Sequence, residues 1–270
     1  VISGEHGILT WLYNFGIAGF EVFPLLLFIG IGAMIDFGPL LEKPWLIFIG
    51  AAAQGGIFLT LILASFFFPL RDAASIAIIG AADGPTAILV SQRLSSQFLG
   101  QIIIVAYSYM ALVPIVQPLA LKLSTTKKER EIRMTYTSSS VSRRTRIIFP
   151  IAVTIICSLI APESAALVGM LMFGNLLREC GVLDSLASAA KDVLSPLVTL
   201  LLGLSIAPMM DGVKLIRMET LMIMAFGLLA FVLDTFSGVI FVKIVNLFLP
   251  KGKKINPLIG GAGISAFPMS

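Results

Sequence analysis

Ile79-Gly80-Ala81-Ala82-Asp83-Gly84-Pro85-Thr86-Ala87 places one carboxylate inside an otherwise apolar run broken by glycine and proline. A second glycine-broken run, Ile259-Gly260-Gly261-Ala262-Gly263-Ile264-Ser265-Ala266, echoes it in the other half of the chain. The 270 residues around them are 57% hydrophobic and 13% charged, against about a quarter charged in a soluble domain. Several apolar runs approach the roughly 20 residues that span a bilayer. Long continuous runs, rather than short alternating strands, exclude a β-barrel. The expectation is an all-α polytopic membrane protein. In that setting a carboxylate near the bilayer centre costs about 2.5–3.5 kcal/mol on insertion scales, which makes Asp83 a functional candidate by default. Interrupted hydrophobic segments at matching positions of two halves point to an ion site in a transporter fold.

Outward from Asp83, apolar spans are expected at 16–35, 45–68, 73–90 (broken at 83–85), 99–121, 194–210 and 218–248. The pieces 147–161 and 165–177 read as a bent hairpin or as a span plus a partial span, and 184–192 as an interfacial helix. Between 122 and 146 eight Lys/Arg face only Glu129 and Glu131. Between two apolar segments such a cluster fits a cytoplasmic, partly disordered loop better than a nucleic-acid surface. The order of an apolar span ending near Met34-Ile35-Asp36 or Met209-Met210-Asp211, followed by an Ile-Gly break, recurs. That favours two membrane repeats, 1–121 and 147–270, with two broken membrane helices; an inverted repeat would bring the breaks together near the midplane. Val1 reads as an interior position and Ser270 follows an apolar segment, so both ends are expected to be truncated.

An interrupted membrane helix frees carbonyls and amides that lipid cannot satisfy; facing a cavity, they bind ions. Asp83 adds a charge, and Thr86, Asn256 and Ser265 add neutral oxygens, a mixture suited to Na+ rather than to Ca2+. Burial favours the protonated acid and a bound cation the ionised one, so Asp83 can exchange H+ for Na+. The plainer reading is that Asp83 caps a half-helix opening at Gly84-Pro85; the two readings coexist. Tyr109, in the following span, can relay a proton or simply pack, and spacing alone favours packing. Glu21, Asp234 and Lys243 read as interfacial, with the lysine snorkelling. Gly30, Gly32, Gly55, Gly56, Gly169 and Gly174 read as close helix contacts. Cys157 and Cys180 read as small buried residues without redox or metal duty.

The stretches GFEVFPLLLFIGIGAMIDFGPLLEKP, GAAAQGGIF, IGAADGPTAI, VAYSYMALVPIVQP and NPLIGGAGISAFPM, in that order, resemble the β subunit of the sodium-pumping biotin-dependent decarboxylases, which act on oxaloacetate, methylmalonyl-CoA, glutaconyl-CoA or malonate. The resemblance implies a bacterial inner-membrane subunit that decarboxylates carboxybiotin brought by an α subunit, consumes a proton and exports Na+, alongside a small γ or δ subunit and within a homo-oligomer. It also implies that the essential aspartate is Asp83 and the functional tyrosine Tyr109, with Asn256, Gly260 and Ser265 in the terminal break. The family's arginine after that serine would fall beyond Ser270. The rival reading is a Na+- or H+-coupled carrier of an organic anion without catalytic chemistry.

Overall fold

The computed structural model describes residues 7–19, 21–134, 141–207, 216–250 and 254–263, all helical or in connections. The helices are α1 (Ile8–Tyr13, running into a π-helical turn, Asn14–Gly19), α2 (Val22–Met34), α3 (Gly38–Glu42), α4 (Leu46–Ala53), α5 (Gly55–Ala64), α6 (Leu70–Ala77) and α7 (Gly84–Arg93). They continue with α8 (Leu99–Ser124), α9 (Lys127–Arg130), α10 (Arg143–Ile160), α11 (Ala165–Glu179), α12 (Asp184–Ala189), α13 (Ser195–Ile206) and α14 (Met218–Phe248). Short 3-10 segments cover Ile78–Ala81, Pro162–Ser164 and Pro257–Gly263. Four helical stretches, Leu46–Ala64, Leu99–Ser124, Asp184–Ile206 and Met218–Phe248, are long and apolar enough to cross a membrane. The chain is an all-α membrane protein.

It folds as two compact units, Val1–Pro44 with Thr137–Met209, and Trp45–Tyr136 with Met210–Ser270. Neither unit is one half of the sequence; each takes one piece from each half.

In the first unit α2 lies against α11, and α10 and α11 form a hairpin turned by the Pro162–Ser164 segment. A methyl group at Gly32 would collide with the Leu171 carbonyl, and one at Gly174 with the Ile29 carbonyl, so the two backbones are in mutual contact. Small residues let membrane helices approach in this way. Asn175, fully buried, secures the crossing by donating from Nδ2 to the Ile35 carbonyl at 2.9 Å and the Gly32 carbonyl at 3.4 Å. At one end Arg178 pairs with Asp36 at 3.7 Å and Arg146 with Glu179 at 3.6 Å. The stretch 184–192 is not a separate interfacial helix: α12 continues through a π-helical turn, Ala190–Leu194, into α13. A spacing of small apolar residues looks amphipathic on either geometry, and the π-turn shifts its register.

In the second unit α14, 31 residues long and thus about 46 Å, is the helix against which α4, α5, α8 and two of the 3-10 segments pack. The span expected at 45–68 has a turn at Gln54, between α4 and α5. The end of the unit bearing the basic residues is held by side chains at helix ends. Arg130 Nη1 donates to the Thr125 carbonyl at 2.6 Å and the Lys122 carbonyl at 3.5 Å, satisfying carbonyls that the end of α8 leaves open. Thr126 and Glu129 form a reciprocal cap on α9. Lys243, expected to snorkel, instead pairs with Glu129 at 3.1 Å. Residues 135–140 of the basic loop lie outside the described residues.

Candidate functional site: a hairpin tip and a second break on one helix

The chain around Asp83 turns back on itself. Asp72, in the first turn of α6, accepts from Ser96 Oγ at 2.6 Å and from the Gln97 N–H and Nε2, both at 3.2 Å, just beyond the end of α7. The two outer ends of α6 and α7 are thereby tied together. The break expected inside a crossing segment is instead the tip of a helical hairpin. Phe68 packs edge-on to both Phe98 and Phe226 at its open end, opposite the Lys243–Glu129 end of α14.

At the tip, Ile78–Ala81 narrows to a 3-10 turn, Ala82 takes a left-handed conformation (φ 52°, ψ 35°) and Asp83 is extended before α7 begins with Pro85 in its first turn. A left-handed alanine costs on the order of 1 kcal/mol, a strain that clusters at functional sites. Gly80 lets the tip rest on α14, where a methyl group would lie 2.8 Å from the Ala230 Cβ. Asp83 is deep in the unit yet keeps part of its surface accessible. Its carboxylate makes no capping hydrogen bond to α7 of ordinary geometry; it accepts from the Thr86 hydroxyl.

The phenol beside this carboxylate is Tyr107. A methyl group at Gly84 would lie 2.6 Å from Tyr107 Cζ, so the ring covers the residue after Asp83, within electrostatic reach of its charge. The Tyr107 hydroxyl is buried and has no hydrogen-bond partner among the described residues. Tyr109 is buried in the cluster of Ile76, Ile79 and Ile102, and its hydroxyl donates to the Met224 carbonyl of α14. Tyr109 thus packs in the core and ties α8 to α14. Two residues apart on a helix, the tyrosines point to different faces; sequence spacing admits either.

The second break approaches α14 from the other end. Asn246 clasps the Ile255 backbone both ways, donating from Nδ2 to its carbonyl at 2.7 Å and accepting its N–H at 2.8 Å. Asn256 donates to the Ile132 carbonyl at 2.9 Å and the Arg130 carbonyl at 3.1 Å, and its Oδ1 accepts from the Leu258 N–H at 3.0 Å. Gln117 Nε2 donates to the Gly261 carbonyl at 2.7 Å and Gln54 Nε2 to the Gly263 carbonyl at 3.1 Å. At Gly260 the turn meets α14 backbone to backbone, and a methyl group on Gly238 would collide with the Gly260 carbonyl. Ser265 lies outside the described residues. The two breaks therefore rest on one helix at Ala230 and Gly238, about 12 Å apart along its axis. No cluster of three metal-ligating side chains occurs among the described residues; a site here depends on backbone oxygens around isolated side chains.

Beside the Asn256 turn, a cavity of about 510 Å³ is lined by Lys128, Glu129, Lys243, Asn246 and Lys254 with apolar side chains of α14. No single stretch of sequence marks it, because its lysines come from three separate segments.

Residues 2–270 match the family model described as the Na+-transporting oxaloacetate decarboxylase beta subunit. The chain is 47% identical over 266 residues to the methylmalonyl-CoA decarboxylase subunit beta of Propionigenium modestum, covering 98% of this chain and 66% of that one. It is 47% identical over 271 residues to the oxaloacetate decarboxylase beta chain of Haemophilus ducreyi, covering 98% of this chain and 61% of that one. With the beta chain of Klebsiella pneumoniae the identity is 46%, over 98% of this chain and 62% of that one. The chain thus spans a little under two thirds of the length of these relatives.

Proposed function

Because the chain belongs to the family of Na+-transporting oxaloacetate decarboxylase beta subunits, we propose that it is the ion-translocating part of a decarboxylase pump and that Asp83 is its exchange site. The observation that carries the reading is the Asp83 carboxylate at a strained, deep and still accessible hairpin tip. Thr86 and Tyr107 stand beside it, and no cationic side chain occurs between Ala73 and Gln92.

The chemistry follows from charge. Carboxybiotin, carried by a biotin-bearing α subunit, is an N-carboxylate; losing CO2 breaks its C–N bond, and the ring nitrogen takes up one proton. A Na+ arriving at protonated Asp83 displaces that proton. The ion then rests on the carboxylate, Thr86 Oγ1 and carbonyls freed by the break. If the released proton leaves only toward carboxybiotin, decarboxylation and Na+ movement are obligatorily linked. Tyr107, the phenol beside the acid, is the one placed to pass the proton on, and Tyr109, the functional tyrosine that the resemblance implies, acts from the α14 side, where its hydroxyl meets the Met224 carbonyl. Asn256, Gly260 and Ser265, in the terminal break, supply the further Na+ oxygens that the resemblance implies. The lysine-lined cavity beside Asn256 is where the anionic carboxyl group arrives, drawn by Lys128 and Lys254.

We read the two halves of the sequence as an inverted repeat, supported by hairpin and turn meeting α14 from opposite ends. Partners of the pump are the carboxyltransferase and biotin-carrier α subunit, a small γ or δ subunit and further copies of this chain, in a bacterial inner membrane. Reconstitution of the whole complex in vesicles tests the reading: radioactive Na+ accumulates while the acid substrate is decarboxylated. Decarboxylation without Na+ movement would overturn it.

A further inference from the structure

Asp234 is fully buried, and neither carboxylate oxygen has a hydrogen-bond partner among the described residues. It lies at the middle of its helix rather than near an end: 16 residues of α14 precede it and 14 follow it within Met218–Phe248, which puts it about 24 and 21 Å from the two ends. It lies between Ala230 and Gly238, four residues from each, on the face that meets both breaks.

What surrounds it is polar without being charged. A third discontinuity, the turn at Gln54, directs the start of α5 at it; a methyl group on Gly56 would collide with the Asp234 backbone and carboxylate. The Gly56 and Ile57 N–H groups, at the start of α5, are directed at the carboxylate and, among the described residues, are its only polar neighbours from that helix end. Thr60, one turn further on the same face of α5, is also fully buried, and its hydroxyl has no partner among the described residues. Among the elements packed on α14 here, α4, α5 and the segments Ile78–Ala81 and Pro257–Gly263 contain no Lys, Arg or His, and α8 has only Lys122 in its last turn. In α6, Arg71 and Asp72 sit at the open end of the hairpin, and in α14 itself Lys243 is held by Glu129. Asp83, at the hairpin tip, carries the same sign of charge. The Asp234 carboxylate has no protein counter-charge. An ionised acid in such a place is expensive unless a cation accompanies it.

We propose that Asp234 is a second ion-carrying acid, holding one monovalent cation, H+ or Na+, between the carboxylate and the Thr60 hydroxyl where the three discontinuities converge. The inference rests on the pump reading for its purpose and on the unpartnered carboxylate for its location. In that arrangement an ion leaving Asp83 at one break has a relay station before the other.

The bland alternative is that Asp234 only caps α5 from outside. Asp234→Asn separates the two, because the amide keeps an oxygen for the Gly56 N–H and loses the charge. The experiment measures thermal unfolding of the assembled complex carrying Asp83→Asn, titrated with Na+ at fixed pH and with pH at fixed Na+, with and without Asp234→Asn. The expected result is that Asp83→Asn alone keeps an ion-dependent rise in Tm and that Asp234→Asn removes it. A loss confined to the Na+ titration identifies Na+, and one confined to the pH titration identifies H+. Thr60→Val, which keeps the carboxylate, is expected to raise the half-effective ion concentration several-fold and serves as the readout if Asp234→Asn fails to assemble. Titrations identical with and without these substitutions would overturn the proposal. Wild-type Na+ uptake, which tests the pump itself, is read independently.

Discussion

The Tyr107 ring lies over Gly84, with Cζ 2.6 Å from the place a methyl group would occupy, so the residue after Asp83 has no side chain because a phenol fills its space. That contact fixes which tyrosine faces the acid. Tyr107→Phe keeps the ring and removes the hydroxyl. It is expected to raise the Na+ concentration for half-maximal decarboxylation several-fold, with little change in Tm. Measuring Na+ dependence and unfolding on the same preparation checks both halves of that statement.

Gly84→Ala is expected to lower stability by about 1–3 kcal/mol, the usual range for a methyl forced into a packed site, and to lower Na+ affinity as well. Tyr107→Ala in the same chain should return most of the stability but not the affinity. Unfolding curves of the two single variants and the double variant give the coupling.

Gly238→Ala pushes a methyl into the Gly260 carbonyl. Backbone cannot swing aside as a flexible side chain can, so the loss is expected at or above about 3 kcal/mol, the upper end of overpacking. Gly203→Ala, inside α13 at a position with open space, is the matched control and should leave the unfolding free energy unchanged or raise it by up to about 1 kcal/mol.

Glu129 lies outside the spans. Desolvation works to raise its pKa, but hydrogen bonds from the Thr126 N–H and hydroxyl, with Lys243 beside it, outweigh that and hold it below the usual range. A lowered folded-state pKa contributes stability above the unfolded value, about 4.3, that fades as pH falls through the folded one. The wild type should therefore exceed Glu129→Gln by up to about 1 kcal/mol, constant from neutral pH to about 4.3 and vanishing below it. Unfolding of both proteins across that range checks the window.

The helices are legible because long apolar runs are a local signal, and Asp83 stands out for the same reason, as an isolated carboxylate in an apolar run. The reversal at the tip is not legible: it depends on Asp72 meeting Ser96 and Gln97, 24 and 25 residues on, and composition is the same for a crossing segment and a hairpin. Asp234 looked interfacial because a 31-residue run does not say which part lies deepest. Tyr107 and Tyr109 differ by two positions, and only the packing of α8 on the hairpin decides which one meets the acid. The close packing expected of Gly55 and Gly56 is present, against Ser237 and Asp234, but the turn they follow carries no signal beyond Gln54.

Simultaneous recording of CO2 release and radioactive Na+ uptake by vesicles bearing the complete complex with Asp83→Asn is the most direct test of the exchange site. The account predicts that both cease while the complex stays assembled. Undiminished CO2 release with Na+ uptake at the wild-type ratio would contradict it.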